Sequence, residues 1–174
     1  LAKVMNFGVI YGLSAFGIAN QTELSMEEGT QFINTYMGSY PRVKEYLEET
    51  VHGARETGYV ETLLGRRRYV PDITSSNRNI RQAAERVAVN MPVQGTAADI
   101  VKAAMIEVHA RLGDEGMVSR MLLQVHDELL FEVPAGEEDA LAEVVVACME
   151  GAMELRVPLV VEGSVGESWY ETKG

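Results

Sequence analysis

The sequence predicts an α+β fold, mostly helical with a small antiparallel sheet, and three observations predict it. Apolar residues recur at helical period, with Ile100, Ala104 and Val108 on one stripe beside Val101, Met105 and Leu112. Two helix starts carry local signatures: Ser25-Met26-Glu27-Glu28 reads as a capping box, and Pro41 suits a first helical position. The apolar runs Met121-Leu122-Leu123 and Leu129-Leu130-Phe131 flank a short polar turn, which reads as strand, turn, strand.

Taken in order, Lys3 to Leu13 reads as helix. The capping box opens a second helix to about Met37, and the helix from Pro41 stops at Gly58. Tyr59 to Leu63 and Tyr69 to Pro71 read as short extended pieces around Gly65-Arg66-Arg67-Arg68. Asn79 to Asn90 is helical, and Pro92 is expected to end it. Thr96 is expected to cap the next helix and Gly113 to close it. After the hairpin come a helix from about Glu137 to Leu155 and a strand from about Leu159 to Val165. Three strands with helices around them suggest α+β layering.

The length of 174 residues suits about one domain, and a hydrophobic fraction of 47% permits a sizeable core. No apolar stretch is long enough to span a membrane, and the start has no signal-peptide pattern. The lone Cys148 excludes an intramolecular disulfide and suits a reducing, cytoplasmic compartment. The chain opens on Leu1 in what reads as mid-helix with no cap before it, so it is expected to be a piece of a larger protein.

A net charge of −11 argues at first against nucleic acid. The distribution argues otherwise. Between Leu64 and Asn90 six arginines face only Asp72 and Glu85, a local net of +4, whereas Glu132 to Gly174 carries −8. A basic stripe on an acidic body still binds a polyanion, because field and contact are local.

Four constellations could carry chemistry. Lys3, Phe7 and Tyr11 share one helix face and could meet phosphate, sugar and base, although spacing alone favours an amphipathic helix whose ring packs in a core and whose lysine snorkels. Gly8 and Gly12 weaken that helix by about 1 kcal/mol each relative to Ala, so they are expected to serve close approach or a hinge. Gln82, Arg86 and Asn90, with Gln94 just beyond, present donors suited to minor-groove acceptors, which recur on every base pair. Asp127 and Glu128 repel one another at the hairpin mouth, and that arrangement is tolerable beside a divalent cation. His52 and His109 lie far from His126, so no zinc site is expected, and there is no phosphate-binding loop of the Walker type.

Four stretches together resemble the C-terminal part of the A family of DNA polymerases. They are Lys3 to Gly12, Gly58 to Tyr69, Asn90 to Asp99 and Gln124 to Glu128, in the family's order and spacing across nearly the whole chain, and Gly166-Glu167-Ser168-Trp169 is similar to the family's C-terminus. The resemblance implies a palm-and-fingers architecture, with residues 1–72 as a partial fingers tip and residues 73–174 as palm with a metal-binding hairpin at 117–134. It implies that Lys3 binds the incoming triphosphate and that Phe7 packs on its sugar, where Phe disfavours dideoxynucleotides relative to Tyr. Tyr11 and Gly12 then lie near the templating base, and His126 near the primer terminus. Arg86, Asn90 and Gln94, with Arg66, Arg67 and Arg68, are implied to contact DNA. Asp127, and less critically Glu128, are implied to hold catalytic Mg²⁺, with two ions in the complete enzyme. Primer-template DNA and deoxynucleoside triphosphates follow as partners of a monomeric parent.

The family's first palm motif, with its own metal-binding aspartate, the thumb and the arginines before Lys3 are not in these residues. The chain alone is therefore expected to be inactive. Two other readings remain open at this point: a piece that binds duplex DNA without chemistry, and a metal-dependent hydrolase built on Asp127 and His126. An upstream strand carrying an aspartate, followed by paired arginines, would decide for the polymerase.

Overall fold

The computed structural model describes residues 2–172, with side chains described over residues 5–172. The order is α1 (Ala2–Ile10), α2 (Ala15–Gln21), α3 (Met26–Ser39), α4 (Pro41–Thr57), β1 (Tyr59–Glu61), β2 (Arg67–Tyr69), a 3₁₀ turn (Pro71–Thr74), α5 (Arg78–Asp114), β3 (Arg120–Val125), β4 (Glu128–Glu132) and α6 (Glu138–Glu150). The fold is α+β and mostly helical, with two two-stranded antiparallel sheets. The chain divides into two compact units, Leu1–Thr96 and Ala97–Gly174.

In the first unit, local chemistry sets the helix ends as expected. The Ser25 hydroxyl accepts from the Glu28 N–H, and the Glu28 carboxylate accepts from the Ser25 N–H in return. That backbone bond, with a second from the Ser25 hydroxyl, holds the Glu28 carboxyl below its ordinary pKa. Pro41 starts α4, and Gly58 ends it in the left-handed region at φ 79°. Gly8 serves close approach: a Cβ there would lie 2.8 Å from Leu13 Cδ2, and one on Gly17 would lie 2.5 Å from Leu13 Cδ1. The Leu13 side chain occupies the space that the two glycines leave. The core gathers Ala54 of α4, Val60 of β1, Val70 and Ile73 at the 3₁₀ turn, and Ala84, Ala88 and Met91 of α5.

In the second unit, Ala104, Val108 and Leu112 form the buried face of α5, as their spacing requires. Val108 and Leu112 pack with Leu141, Val144 and Cys148 of α6, and Met121 and Phe131 of the hairpin pack against them. Cys148 is a packing residue whose burial pushes its thiol pKa up.

Several boundaries differ from expectation. Pro92 does not end its helix, and Thr96 does not cap a new one; both lie inside the continuous α5. Pro92 withholds one N–H from the ladder, but buried Ala88 and Met91 anchor the turn around it, and tertiary hydrogen bonds described below brace it. Gly113 lies within α5, which runs on to Asp114. Helix α1 ends at Ile10 rather than Leu13, and α6 stops before Gly151, well short of Leu155. Leu159 to Val165 is not a strand: Val160 is 76% and Val165 70% exposed, and no ladder partner lies beside them among the described residues. Strand propensity without a neighbour does not make a strand. No helix among the described residues is long and apolar enough to cross a membrane.

Candidate functional site

The exposed face of α1 carries the first group. The Phe7 and Tyr11 rings stack at 6.1 Å between centroids with 16° between planes. Phe7 is 48% exposed, so its ring is a presented surface rather than core. The core role falls to Met5 and Val9 on the other side of the helix. The side chain of Lys3 lies outside the described residues. Gly12 has φ 77°, the left-handed region open to glycine. A Cβ on it would sit 3.3 Å from Arg86 Cγ, so the end of α1 and the polar face of α5 meet there.

Gly12 and Arg86 share a groove of about 560 Å³, whose walls also include Arg55, Gln82, Glu85 and Val89. Glu85 organises one side of it. Arg55 Nη2 donates to Glu85 Oε1 at 2.6 Å, and Arg81 approaches the same oxygen at 4.0 Å while donating to the Ser75 carbonyl. Gln82 and Arg86 are exposed on the predicted face, whereas Asn90, one turn on, is half-buried, and its Oδ1 is buried with no hydrogen-bond partner. Gln94 is exposed.

The arginine run is not a uniform basic patch. Arg66 Nη2 donates to the Gly95 carbonyl at 2.9 Å. Arg67 donates to Glu61, its cross-strand partner, and stacks 4.4 Å over the Tyr59 ring. The bond to Glu61 holds its guanidinium more firmly protonated than usual. Arg68 is exposed and makes no side-chain hydrogen bond or ion pair among the described residues. Arg67 and Arg68 also lie in β2 rather than in the turn.

In the second unit, β3 and β4 pair from Arg120↔Glu132 to Val125↔Glu128, so His126 and Asp127 form a two-residue turn and Glu128 opens β4. His126 adopts φ 56°, the one non-glycine residue with positive φ among those described. Such a conformation costs about 1–3 kcal/mol for a residue with a Cβ. The Gln124 side-chain amide donates to the His126 carbonyl and ties the turn to its own strand. Asp127 and Glu128 are exposed. No group of three or more His, Cys, Asp or Glu side chains is placed to hold a metal among the described residues. The two carboxylates are the kind of oxygen donor that hard divalent cations prefer, and two of them make at most part of a shell.

Two features escaped the sequence reading. Glu137 accepts from the Val118 N–H and from the Ser119 N–H and hydroxyl, which fixes the root of β3 and holds its own carboxyl below the ordinary range. Gly95 lies where a Cβ would meet Thr62 Cγ2 at 2.7 Å. A glycine inside a helical pattern signals such contact, but it does not name the partner.

The profile of DNA polymerase family A matches residues 1–171. The chain is 52% identical over 172 residues to DNA polymerase I of Caldicellulosiruptor bescii and 49% identical over 172 residues to the thermostable DNA polymerase I of Thermus aquaticus. Each match covers 99% of this chain and 20% of the relative, so the chain spans about a fifth of their length. Among solved structures it is similar to the POL domain of Pol1 from M. smegmatis in complex with DNA primer-template and dNTP. The TM-score is 0.94 at 49% identity, covering 98% of this chain and 30% of that one.

Proposed function

The chain belongs to DNA polymerase family A, and from that premise we propose that it is the fingers-tip and palm portion of a DNA-directed DNA polymerase that extends a primer 3′ end. One observation carries the reading: the similar M. smegmatis domain, matched over 98% of this chain, is the one in complex with primer-template and dNTP. In this reading residues 1–72 are fingers and residues 73–174 palm. Lys3 meets the triphosphate, exposed Phe7 takes the sugar, and Tyr11 with Gly12 borders the templating base. Arg86, Asn90, Gln94 and Arg68 face primer-template.

Asp127, with Glu128 beside it, holds Mg²⁺ together with carboxylates from outside these residues, and His126 lies near the primer terminus. When bound, two such ions supply activation of the attacking 3′ hydroxyl and neutralisation of charge on the leaving pyrophosphate. The protein's own share is positioning. The stacked Phe7–Tyr11 pair gives the sugar and base a rigid apolar surface, and the strained turn presents Asp127 to solvent.

Primer extension tests this. In the full-length polymerase containing this segment, Phe7→Tyr raises dideoxynucleotide use relative to deoxynucleotide, and an unchanged ratio removes Phe7 from the sugar site. The 174-residue chain with Mg²⁺ gives no extension by itself, and robust extension would show that the active site has been misplaced.

A further inference from the structure

The turn between β1 and β2 is fastened to α5 at the one turn of that helix which contains proline. Thr62 and Thr96 are both buried. The Thr96 hydroxyl donates to the Pro92 carbonyl at 2.5 Å and accepts from the Leu63 N–H at 3.0 Å. Arg66 reaches the Gly95 carbonyl, while its backbone N–H donates to the Thr62 hydroxyl at 3.1 Å and its carbonyl accepts from the Thr62 N–H at 3.0 Å. Gly95 admits this approach because it has no side chain; Thr62 Cγ2 and Met91 Cε occupy the space a Cβ would need. The exposed tip leucines, Leu63 and Leu64, take no part in the core. The fastening is therefore polar and directional, and it bridges two segments about thirty residues apart in the chain.

Its location gives it a use. The helix lacks one ladder bond at Pro92, and a turn so weakened bends or frays unless something else holds it. Asn90 and Gln94 flank that turn. We infer that Arg66 and Thr96 are positioning residues, clamping the proline turn of α5 so that Asn90 and Gln94 keep one orientation toward the nucleic acid, and that Arg66 is not a phosphate contact. This rests on the polymerase reading for what Asn90 and Gln94 face; the clamp itself rests on the hydrogen bonds.

A salt series separates the two roles for Arg66. Each phosphate neutralised contributes about 0.9 to the slope of log affinity against log salt. In the full-length polymerase, Arg66→Gln and Thr96→Val each weaken primer-template binding several-fold with the slope unchanged. Thr96→Ser restores binding. Once Gln94→Ala is present, Arg66→Gln adds little, because it acts through that side chain. A slope reduced by about 0.9 in Arg66→Gln makes Arg66 a phosphate contact and overturns the inference, as does wild-type binding by Thr96→Val. Hydrogen–deuterium exchange on the full-length polymerase tests the clamp without DNA: amides of residues 93–96 exchange at least about tenfold faster in Thr96→Val and Arg66→Gln. Unchanged exchange removes the clamp, whereas absence of DNA binding by the unsubstituted polymerase would remove only the polymerase reading.

Discussion

The molecule contains two antiparallel hairpins that differ in which end is held. The β1–β2 hairpin is held at its tip, where Thr62, Leu63 and Arg66 bond to α5 or to each other, and two of its three arginines are engaged by neighbours. The β3–β4 hairpin is held at its root, where Glu137 grips Val118 and Ser119, and along its length by Met121 and Phe131 against the core. Its own tip is tied only to itself and presents two carboxylates with no ion-pair partner among the described residues. A fixed tip with paired charge serves the fold. A rooted hairpin whose tip carries a left-handed His126 and two exposed carboxylates suits the metal-holding role proposed for it.

The largest expected effect lies at the free tip. In the full-length polymerase, Asp127→Ala is expected to lower the rate of nucleotide incorporation by at least ~10²-fold, since a metal ligand, the role proposed for it, is worth several kcal/mol of charge stabilisation. The melting temperature stays close to the parent's, because the side chain is exposed. Glu128→Ala costs less. Extension within a few-fold of the parent for Asp127→Ala, or a large loss of stability, would erase the contrast between the hairpins.

At the fixed tip the order reverses, and stability moves before activity. Gly95→Ala gains about 1 kcal/mol of helix propensity, but its Cβ would stand 2.7 Å from Thr62 Cγ2 and 3.2 Å from Met91 Cε. Met91 Cε is the end of a flexible side chain and can yield. Thr62 is buried and tied on both sides by Arg66, so it cannot. Overpacking of this kind costs about 1–3 kcal/mol. The net expectation is destabilisation by about 1 kcal/mol in urea unfolding, and a net gain would show that the tip shifts freely.

These hairpins also show how far the sequence could be read. The caps at Ser25, Glu28, Pro41 and Gly58 were legible because their physics is contained within a few residues. The face shared by Phe7 and Tyr11 was legible from spacing alone. Pro92 was misread because the groups that bond to the turn around it come from Leu63 and Arg66, about thirty residues away in sequence. The charge of Arg66, Arg67 and Arg68 was legible, but their different engagements were not, since pairing depends on cross-strand register. The tail from Leu159 to Val165 looked like a strand because propensity is local whereas a ladder is not.

The root of β3–β4 gives a pH signature. The Ser119 hydroxyl, with the Val118 and Ser119 N–H groups, favours the charged form of Glu137 and lowers its folded pKa. An unfolded carboxyl titrates near ~4.3. A depressed folded pKa means that the stabilisation is complete above that value and is lost as pH falls through it toward the folded pKa. The stability difference between the parent and Glu137→Gln is therefore greatest above pH ~5 and shrinks on acidification. Urea midpoints for the pair across this range measure it, and a difference independent of pH would show that shape rather than charge holds the root.

The smallest effect is also the finest test of the comparison. Both turns contain a left-handed residue, Gly65 at φ 78° in the fixed tip and His126 at φ 56° in the free one. No atom lies within 4 Å of where a Cβ on Gly65 would stand, so Gly65→Ala meets only the backbone cost of that conformation. Destabilisation by about 1 kcal/mol is expected. His126→Gly runs the other way. It removes about 1–3 kcal/mol of left-handed strain and returns up to about 1 kcal/mol of chain entropy to the unfolded state. The result is a protein as stable as the parent or slightly more so, with poorer primer extension. If His126→Gly instead destabilises the fold as much as Gly65→Ala does, the imidazole is anchoring the turn, and the strain at the free tip serves the hairpin rather than the site.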